Sequence, residues 1–214
     1  MRVVAIPVKS LDRCKGRLAG VLSPLERAAL TLAMLEDVLD ACREHAGWET
    51  WVVSPDETVL EVAARRRVKT VIEESGPLAK AIAQIERLAK DRDADALAIL
   101  PGDLPTLTGD ALGRALHTLG SVVLAPSRDG LGTSLLLRRP TRCIPARFGP
   151  DSLARHRALA EQRGLPVAIV HEPTLAFDVD VPEDLRTLLS VPDGGRARRA
   201  ILEMELDARL ADLA

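Results

Sequence analysis

Residues 96–125 read ALAILPGDLPTLTGDALGRALHTLGSVVLA, and this stretch decides the fold. Two short apolar runs, 96–100 and 121–125, flank a segment at 108–118 that has the spacing of an amphipathic helix. An apolar run without polar alternation is typical of a strand buried on both faces, as in parallel sheets. The stretch therefore predicts a β-strand, a crossover helix and a second β-strand.

The same alternation of strands and helices extends over most of the chain. It predicts an α/β fold with an open, doubly wound, mostly parallel sheet that is covered by helices on both faces. Ligands bind such sheets beyond the carboxyl ends of the strands, so the loops that follow strands become the candidate sites. The further predicted strands are 3–8, 50–54, 68–72, 134–138 and 167–170, and the further helices begin at the capping sequences SPLE (23–26) and SPDE (54–57) or span 77–92, 150–163 and a short segment after 182.

Composition limits the classes of function. The 214 residues include 29 Lys and Arg against 31 Asp and Glu, and aromatic residues make up only 2%. Nucleic-acid binders usually carry a basic excess, and single-strand binders also need rings for stacking, so we expect no nucleic-acid partner. The length predicts one domain, 1–191, followed by a linker and a C-terminal helix, 192–214, which is a candidate for self-association into a homodimer.

The distribution of cysteines and apolar residues indicates the compartment. Cys14, Cys42 and Cys143 are too scattered for a disulfide framework or a zinc site. No stretch reaches 18 apolar residues, so no membrane span is predicted. We expect a cytoplasmic protein.

The loop after the first strand is basic. Lys9, Arg13, Lys15 and Arg17 lie within nine residues in a position that faces a ligand. Such a cluster suits a polyphosphate, because positive charge offsets the anion and its leaving group. The alternative is a solvated charged loop.

Acidic residues occur in two other loops. Asp103 follows an apolar strand and lies between two prolines in LPGDLP. Asp178 and Asp180 in FDVDV project to the same side of an extended segment, and paired carboxylates repel unless a cation lies between them. Carboxylates of this kind suit Mg²⁺ shared with phosphates. The alternatives are a turn residue at 103 and a helix cap at 180.

Two glycine-containing segments form weaker candidates for anion binding. The loop PSRDGLGTS (126–134) could bring backbone amides to an anion or could equally be a hairpin. In FGPDSLARH (148–156), Gly149 and Ser152 begin a helix, whose free N–H groups favour anions. His156 follows on the same helix face as Ser152.

Taken together, these segments resemble the 2-phospho-L-lactate guanylyltransferase family, including its phosphoenolpyruvate-using members, which serve coenzyme F-420 biosynthesis. The resemblance spans residues 6–185 and implies a nucleotidyltransferase of the molybdenum-cofactor guanylyltransferase-like fold that uses GTP and Mg²⁺. It assigns the phosphates to Lys9, Lys15 and Arg17, the metal to Asp103, Asp178 and Asp180, and the phosphorylated acid to Thr133, Gly149 and Ser152. Among these, Asp103, Lys15 and Arg17 are the expected catalytic residues, and Asp103 also borders the nucleotide.

The expected reaction joins GMP from GTP to a small phosphorylated three-carbon acid and releases pyrophosphate. The acid is 2-phospho-L-lactate, phosphoenolpyruvate or 3-phosphoglycerate. The stretch GPLAKA (76–81) departs from the family's usual pattern near the nucleobase, which keeps another nucleotide or acceptor open. A non-catalytic nucleotide-binding protein of this fold is the other alternative.

Overall fold

The computed structural model describes residues 1–74, 76–192, 194–206 and 209. They form one seven-stranded sheet in the order β3-β2-β1-β4-β6-β5-β7, in which only β6 runs antiparallel to its neighbours. The doubly wound, mostly parallel α/β fold is confirmed. The strands are β1 Arg2–Pro7, β2 Trp48–Ser54, β3 Lys69–Ile72, β4 Ala96–Ile99, β5 Val122–Pro126, β6 Thr133–Arg138 and β7 Val167–Ile169.

Helices cover both faces of the sheet. One face packs on α1, α2, α4 and α6, and the other packs on α3 and α5. The central strand β4 is buried at every position, which explains its unbroken apolar sequence. The helices are α1 Pro24–Arg43, α2 Glu57–Arg65, α3 Leu78–Asp91, α4 Gly109–His117, α5 Ser152–Gln162, α6 Pro173–Ala176, α7 Pro182–Ser190 and α8 Gly195–Glu203.

The two predicted capping sequences behave differently. Ser23 forms a full capping box with Glu26 at the start of α1, as predicted. The interpretation of Ser54 as the second cap is wrong, because Ser54 is the last residue of β2. Asp56 is the cap instead, and its carboxylate accepts a hydrogen bond from the Thr58 amide at 3.0 Å.

The C-terminal segment packs on the rest of the chain. Asp37 of α1 accepts hydrogen bonds from the Arg196 and Ala197 amides at 2.8 and 2.9 Å, so α1 caps the first turn of α8. Ala197 and Ile201 are fully buried in a cluster with α1 and α7. The helix predicted over 196–213 is interrupted by a turn at 204–205, where Glu205 has a positive φ of 52°. Residues 207, 208 and 210–213 of that prediction lie outside the described residues.

None of the helices formed by the described residues has the length and apolar character that would be needed to cross a membrane.

The sheet order determines where ligand-facing loops meet. Because β6 is antiparallel to β4, its first residue, Thr133, lies at the edge where the parallel strands end. The loops after β1 and β4 open at this same edge. The carboxyl edge of the sheet therefore collects residues from distant parts of the chain.

Candidate functional site

Lys15 lies in the loop between β1 and α1, with its side chain directed inward. Its backbone is left-handed, with a φ of 47°, and a short 3-10 helix, Gly16–Leu18, follows it. Leu18 is fully buried and anchors this turn. The Lys15 side chain is only 7% exposed, which is unusual for lysine and requires paired charges.

Two carboxylates supply that pairing. The Lys15 ammonium donates to Asp103 at 2.5 Å and to Asp180 at 2.9 Å. These contacts join segments that are 88 and 165 residues away from Lys15 in sequence. We refer to Lys15, Asp103, Asp178 and Asp180 as the acidic cluster.

Asp103 is held by the close packing of the turn that precedes it. A Cβ atom on Gly102 would lie 3.1 Å from Val8 and 3.3 Å from Ile6, so the turn packs tightly on the end of β1. This approach favours glycine at position 102. Asp103 is thereby fixed beside the loop that carries Lys15.

Helix α7 holds the FDVDV segment, residues 177–181, in place by accepting hydrogen bonds from the segment's backbone. Val179 is fully buried and Phe177 nearly so, while Asp178 and Asp180 lie on the other side, as the alternation predicts. Asp180 does not cap the following helix, so that alternative is wrong. Asp184 accepts hydrogen bonds from the Asp180 and Val181 amides at 2.7 and 2.9 Å, which leaves the Asp180 carboxylate for Lys15.

The charges within the acidic cluster are coupled. Burial works against the Lys15 ammonium, but Asp103 and Asp180 outweigh it and raise the pKa of Lys15. Burial also works against ionised Asp180, but attraction to Lys15, Arg17 and Lys9 lowers the pKa of that carboxyl. Burial, followed by repulsion from Asp103 and Asp180, raises the pKa of Asp178. Asp103 and Asp180 therefore share the buried Lys15 ammonium, and both repel the carboxylate of Asp178.

The remaining predicted basic residues lie at the surface of the same loop. Lys9 and Arg17 are exposed, and their positive charge reaches Asp180. Arg13 is also exposed and forms an ion pair with its neighbour Asp12 at 3.7 Å. Lys9 and Arg17 are therefore accessible at the surface of the loop, whereas Lys15 is already paired.

The cluster has the donor chemistry of a magnesium site without a complete protein cage. Within the described ranges, no three His, Cys, Asp or Glu side chains are grouped so that they could hold a metal ion. Mg²⁺ commonly takes only one or two carboxylates and completes its octahedron with phosphates and water. Asp103 and Asp180 lie near enough to Asp178 to repel its carboxylate, so the donor set fits Mg²⁺ that takes one or two of these groups and enters with phosphates.

A second group of polar side chains lies at the start of β6 and α5. Ser152 donates a hydrogen bond to the Thr133 hydroxyl at 3.1 Å, and His156 Nδ1 lies 3.1 Å from the same oxygen. Ser152 and His156 are almost fully buried, whereas Thr133 is partly exposed. We refer to Thr133, Ser152 and His156 as the hydroxyl cluster.

Gly149 borders the hydroxyl cluster in an exposed turn. Its φ of 109° is a conformation that L side chains rarely adopt, so glycine is required by the backbone. Its carbonyl accepts a hydrogen bond from the Ser152 amide at 3.1 Å. The structure thus brings together Thr133, Gly149 and Ser152, the three residues that the family resemblance groups.

The loop between β5 and β6 is a hairpin connection. Asp129 accepts hydrogen bonds from the Leu131 and Gly132 amides at 2.9 and 3.2 Å. Two of the amides that could have met an anion are therefore used within the turn, and the hairpin interpretation of 126–134 is confirmed.

The sequence analysis did not single out Arg128 and Asp184, which link the β5–β6 loop to the FDVDV segment. Arg128 donates to Asp184 at 2.5 Å and stacks 5.6 Å from the Phe177 ring, so it ties the β5–β6 loop to the FDVDV segment. Asp184, in the first turn of α7, is only 1% exposed. The signal for Arg128 was weak, because one arginine in a polar loop matches no motif.

Comparison with solved structures defines the class of fold. A protein from Desulfovibrio desulfuricans G20 that has been assigned as a nucleotide-diphospho-sugar transferase superposes with a TM-score of 0.77 at 18% identity, covering 99% of this chain and 98% of that one. A cytidylyltransferase from Leptospira borgpetersenii gives 0.60 at 13% identity, covering 98% and 96%. The chain has the nucleotide-diphospho-sugar transferase-like fold.

Sequence comparison gives the family. The chain is 39% identical to the phosphoenolpyruvate guanylyltransferase of Rubrobacter xylanophilus, covering 91% of this chain and 97% of that protein. It is 38% identical to the 3-phospho-D-glycerate guanylyltransferase of Phenylobacterium zucineum, covering 89% and 91%. The model of the guanylyl transferase CofC like family matches residues 1–211, and the chain belongs to that family of nucleotidyltransferases.

Proposed function

We propose that the protein transfers GMP from GTP to the phosphate of a three-carbon phosphorylated acid and releases pyrophosphate. The observation that carries this proposal is the double contact of the Lys15 ammonium with Asp103 and Asp180. Those contacts assemble opposite charges from three loops at the ligand-binding edge of a nucleotidyltransferase fold. The names of the relatives support a guanylyl donor and a phosphorylated acceptor.

In the proposed reaction, an oxygen of the acceptor phosphate attacks the α-phosphorus of GTP. A new P–O bond forms, the bond between the α-phosphorus and the bridging oxygen breaks, and that oxygen leaves with pyrophosphate. The acceptor phosphate is already anionic near neutral pH, so no general base is required. Catalysis then consists of positioning and charge stabilisation.

Each cluster has a separate task in this proposal. Lys9 and Arg17 attract the β- and γ-phosphates, and Lys15 holds Asp103 and Asp180 in place while adding positive charge beside the reacting centre. One or two of the carboxylates of Asp103, Asp178 and Asp180 would hold Mg²⁺, which would neutralise charge on the phosphates. The Thr133 hydroxyl and the Gly149 amide would bind the acceptor acid, and Ser152 would position the Thr133 hydroxyl, to which it donates its own proton.

The acceptor is proposed to be phosphoenolpyruvate, 3-phosphoglycerate or 2-phospho-L-lactate. The first two acids occur in the names of relatives, and the third comes from the family resemblance. The proposed role in coenzyme F-420 biosynthesis rests on that resemblance as well, and the cytoplasmic location and the homodimer stay predictions.

Isotope labelling tests the reaction class. With GTP labelled at the α-phosphorus and phosphoenolpyruvate as acceptor, we expect the label in the acid-linked product. With label at the γ-phosphorus, we expect it in released pyrophosphate. Transfer of the γ-label to the acid would mean phosphoryl transfer and would overturn the proposal.

A further inference from the structure

The hydrogen bonds of His156 fix which ring nitrogen carries the proton. The backbone amide of Arg147 donates to His156 Nε2 at 2.7 Å, so Nε2 is the acceptor nitrogen. In a neutral imidazole the other nitrogen must then carry hydrogen. Nδ1–H therefore donates to the Thr133 hydroxyl oxygen, which lies 3.1 Å away.

The surroundings of His156 keep the ring neutral. The ring is fully buried and packs edge-on against Phe148 at 5.3 Å between centroids. Burial, then the charges of Arg138 on β6 and Arg155 on α5, lower the pKa of His156 to about 4. At physiological pH the ring is thus an uncharged group with one donor and one acceptor.

Thr133 consequently accepts two hydrogen bonds. One comes from His156 Nδ1 and the other from the Ser152 hydroxyl, each at 3.1 Å. A hydroxyl oxygen has two lone pairs and one proton. With both lone pairs engaged, the Thr133 proton is the group's remaining hydrogen-bonding capacity, and it can only be donated to an acceptor outside the cluster.

We propose that His156 is a positioning residue for the acceptor acid, which commits the Thr133 hydroxyl to donating a hydrogen bond to an anionic oxygen of that acid. This inference rests on the proposed function, because it takes the phosphorylated acid as the ligand of the hydroxyl cluster. It adds that the ring also fastens the loop beside Gly149, through the Arg147 amide. One buried side chain thereby sets both parts of the acceptor site.

Two substitutions separate the functions of the ring nitrogens. In His156→Asn the amide N–H lies near the position of Nδ1 and can still donate to Thr133. In His156→Gln the longer amide reaches the position of Nε2 and can accept from Arg147, but it leaves Thr133 without that donor. Both variants are uncharged and both remove the aromatic ring, and Asn is one methylene shorter than Gln.

We compare the KM of His156→Gln with that of His156→Asn, for phosphoenolpyruvate or 3-phosphoglycerate. This KM ratio should be about 3- to 10-fold higher with Thr133 present than in a Thr133→Val background, the loss expected for one hydrogen bond. GTP affinity measured by calorimetry without the acid should be equal in the two variants. A KM ratio that is the same with Thr133 and with Thr133→Val would overturn the inference.

A measurement on the unmodified chain does not depend on folding of the variants. Nitrogen-15 NMR of the ligand-free protein at pH 7 should show His156 as the neutral Nδ1–H tautomer, and the Nε2–H tautomer would overturn the inference. If the wild-type protein releases no pyrophosphate with GTP and any of the three acids, the proposed function fails and the inference fails with it. If the wild-type protein is active and Thr133→Val leaves the KM ratio of the Gln and Asn variants unchanged, the inference alone fails.

Discussion

At the scale of single residues, the charge on Asp103 is the most direct test of the acidic cluster. Asp103→Asn keeps the shape of the side chain and removes one of the two anionic contacts of Lys15. We expect pyrophosphate release to fall at least about 100-fold, because charge stabilisation at the reacting centre is lost. Asp91→Asn on the exposed end of α3 is the matched control and should behave as wild type. Wild-type turnover in a folded Asp103→Asn protein would remove Asp103 from the site.

The buried ring of His156 also predicts a pH dependence of stability. Its pKa is lowered from 6.5 to about 4 in the folded state, so the unfolded chain binds the proton more readily. The neutral His156 ring therefore contributes to the free energy of unfolding above pH 6.5. This contribution is lost as the pH falls towards 4, and the loss amounts to up to about 3 kcal/mol. Urea unfolding at pH 7.5 and 4.5 should show a smaller acid loss in His156→Gln than in wild type. The exposed control His171→Gln should follow the wild-type curve, and equal losses in all three proteins would contradict the assignment.

At the scale of elements, the sequence predicted the sheet better than the ends of its helices. All seven strands were predicted. The five inner strands are largely buried and leave apolar runs, and the partly exposed edge strands β3 and β7 are short runs rich in Val and Ile. Helix α6 was missed, since four residues carry no periodicity. The order of strands and the reversed direction of β6 come from long-range pairing, which local sequence does not encode.

The docking of α8 gives an element-scale prediction. Asp37 is buried on α1 and bonds the Arg196 and Ala197 amides, while burial raises the pKa of this carboxyl. Asp37→Ala leaves two helix-start amides without their acceptor, and we expect the free energy of unfolding to fall by about 1–3 kcal/mol. Urea unfolding against the control Asp91→Ala measures the loss. Equal stability of the two variants would show that α8 docks without this cap.

At the scale of the whole molecule, the residues of the site could be predicted from the sequence, but the contacts between those residues could not. The residue types of both clusters follow from the sequence, because charge and glycine patterns at strand ends are readable. The pairing of Lys15 with two aspartates, and the sharing of one hydroxyl by Ser152 and His156, depend on the tertiary arrangement. The contact between Arg128 and Asp184 could not be predicted for the same reason. The two residues are 56 positions apart in sequence, so their contact leaves no local pattern.

The two clusters predict independent binding of the two substrates. Ser152→Ala removes a hydroxyl that donates to Thr133, and we expect the KM for the acid to rise about 3- to 10-fold. GTP affinity without the acid should be unchanged, because its phosphates are assigned to the acidic cluster and the 9–17 loop. Calorimetry and pyrophosphate release on the same samples measure both. Equal losses for both ligands would mean that Ser152 only supports the start of α5.

The central claim is that this chain joins a guanylyl group to a three-carbon phosphorylated acid. Incubation with each of GTP, CTP, UTP and ATP against phosphoenolpyruvate, 3-phosphoglycerate and 2-phospho-L-lactate, followed by pyrophosphate release and product mass, tests it most directly. The account predicts pyrophosphate with GTP and at least one of these acids, together with a product whose mass equals that acid plus GMP less water. Pyrophosphate with CTP or UTP in preference to GTP, or no product mass for any pair, would contradict it.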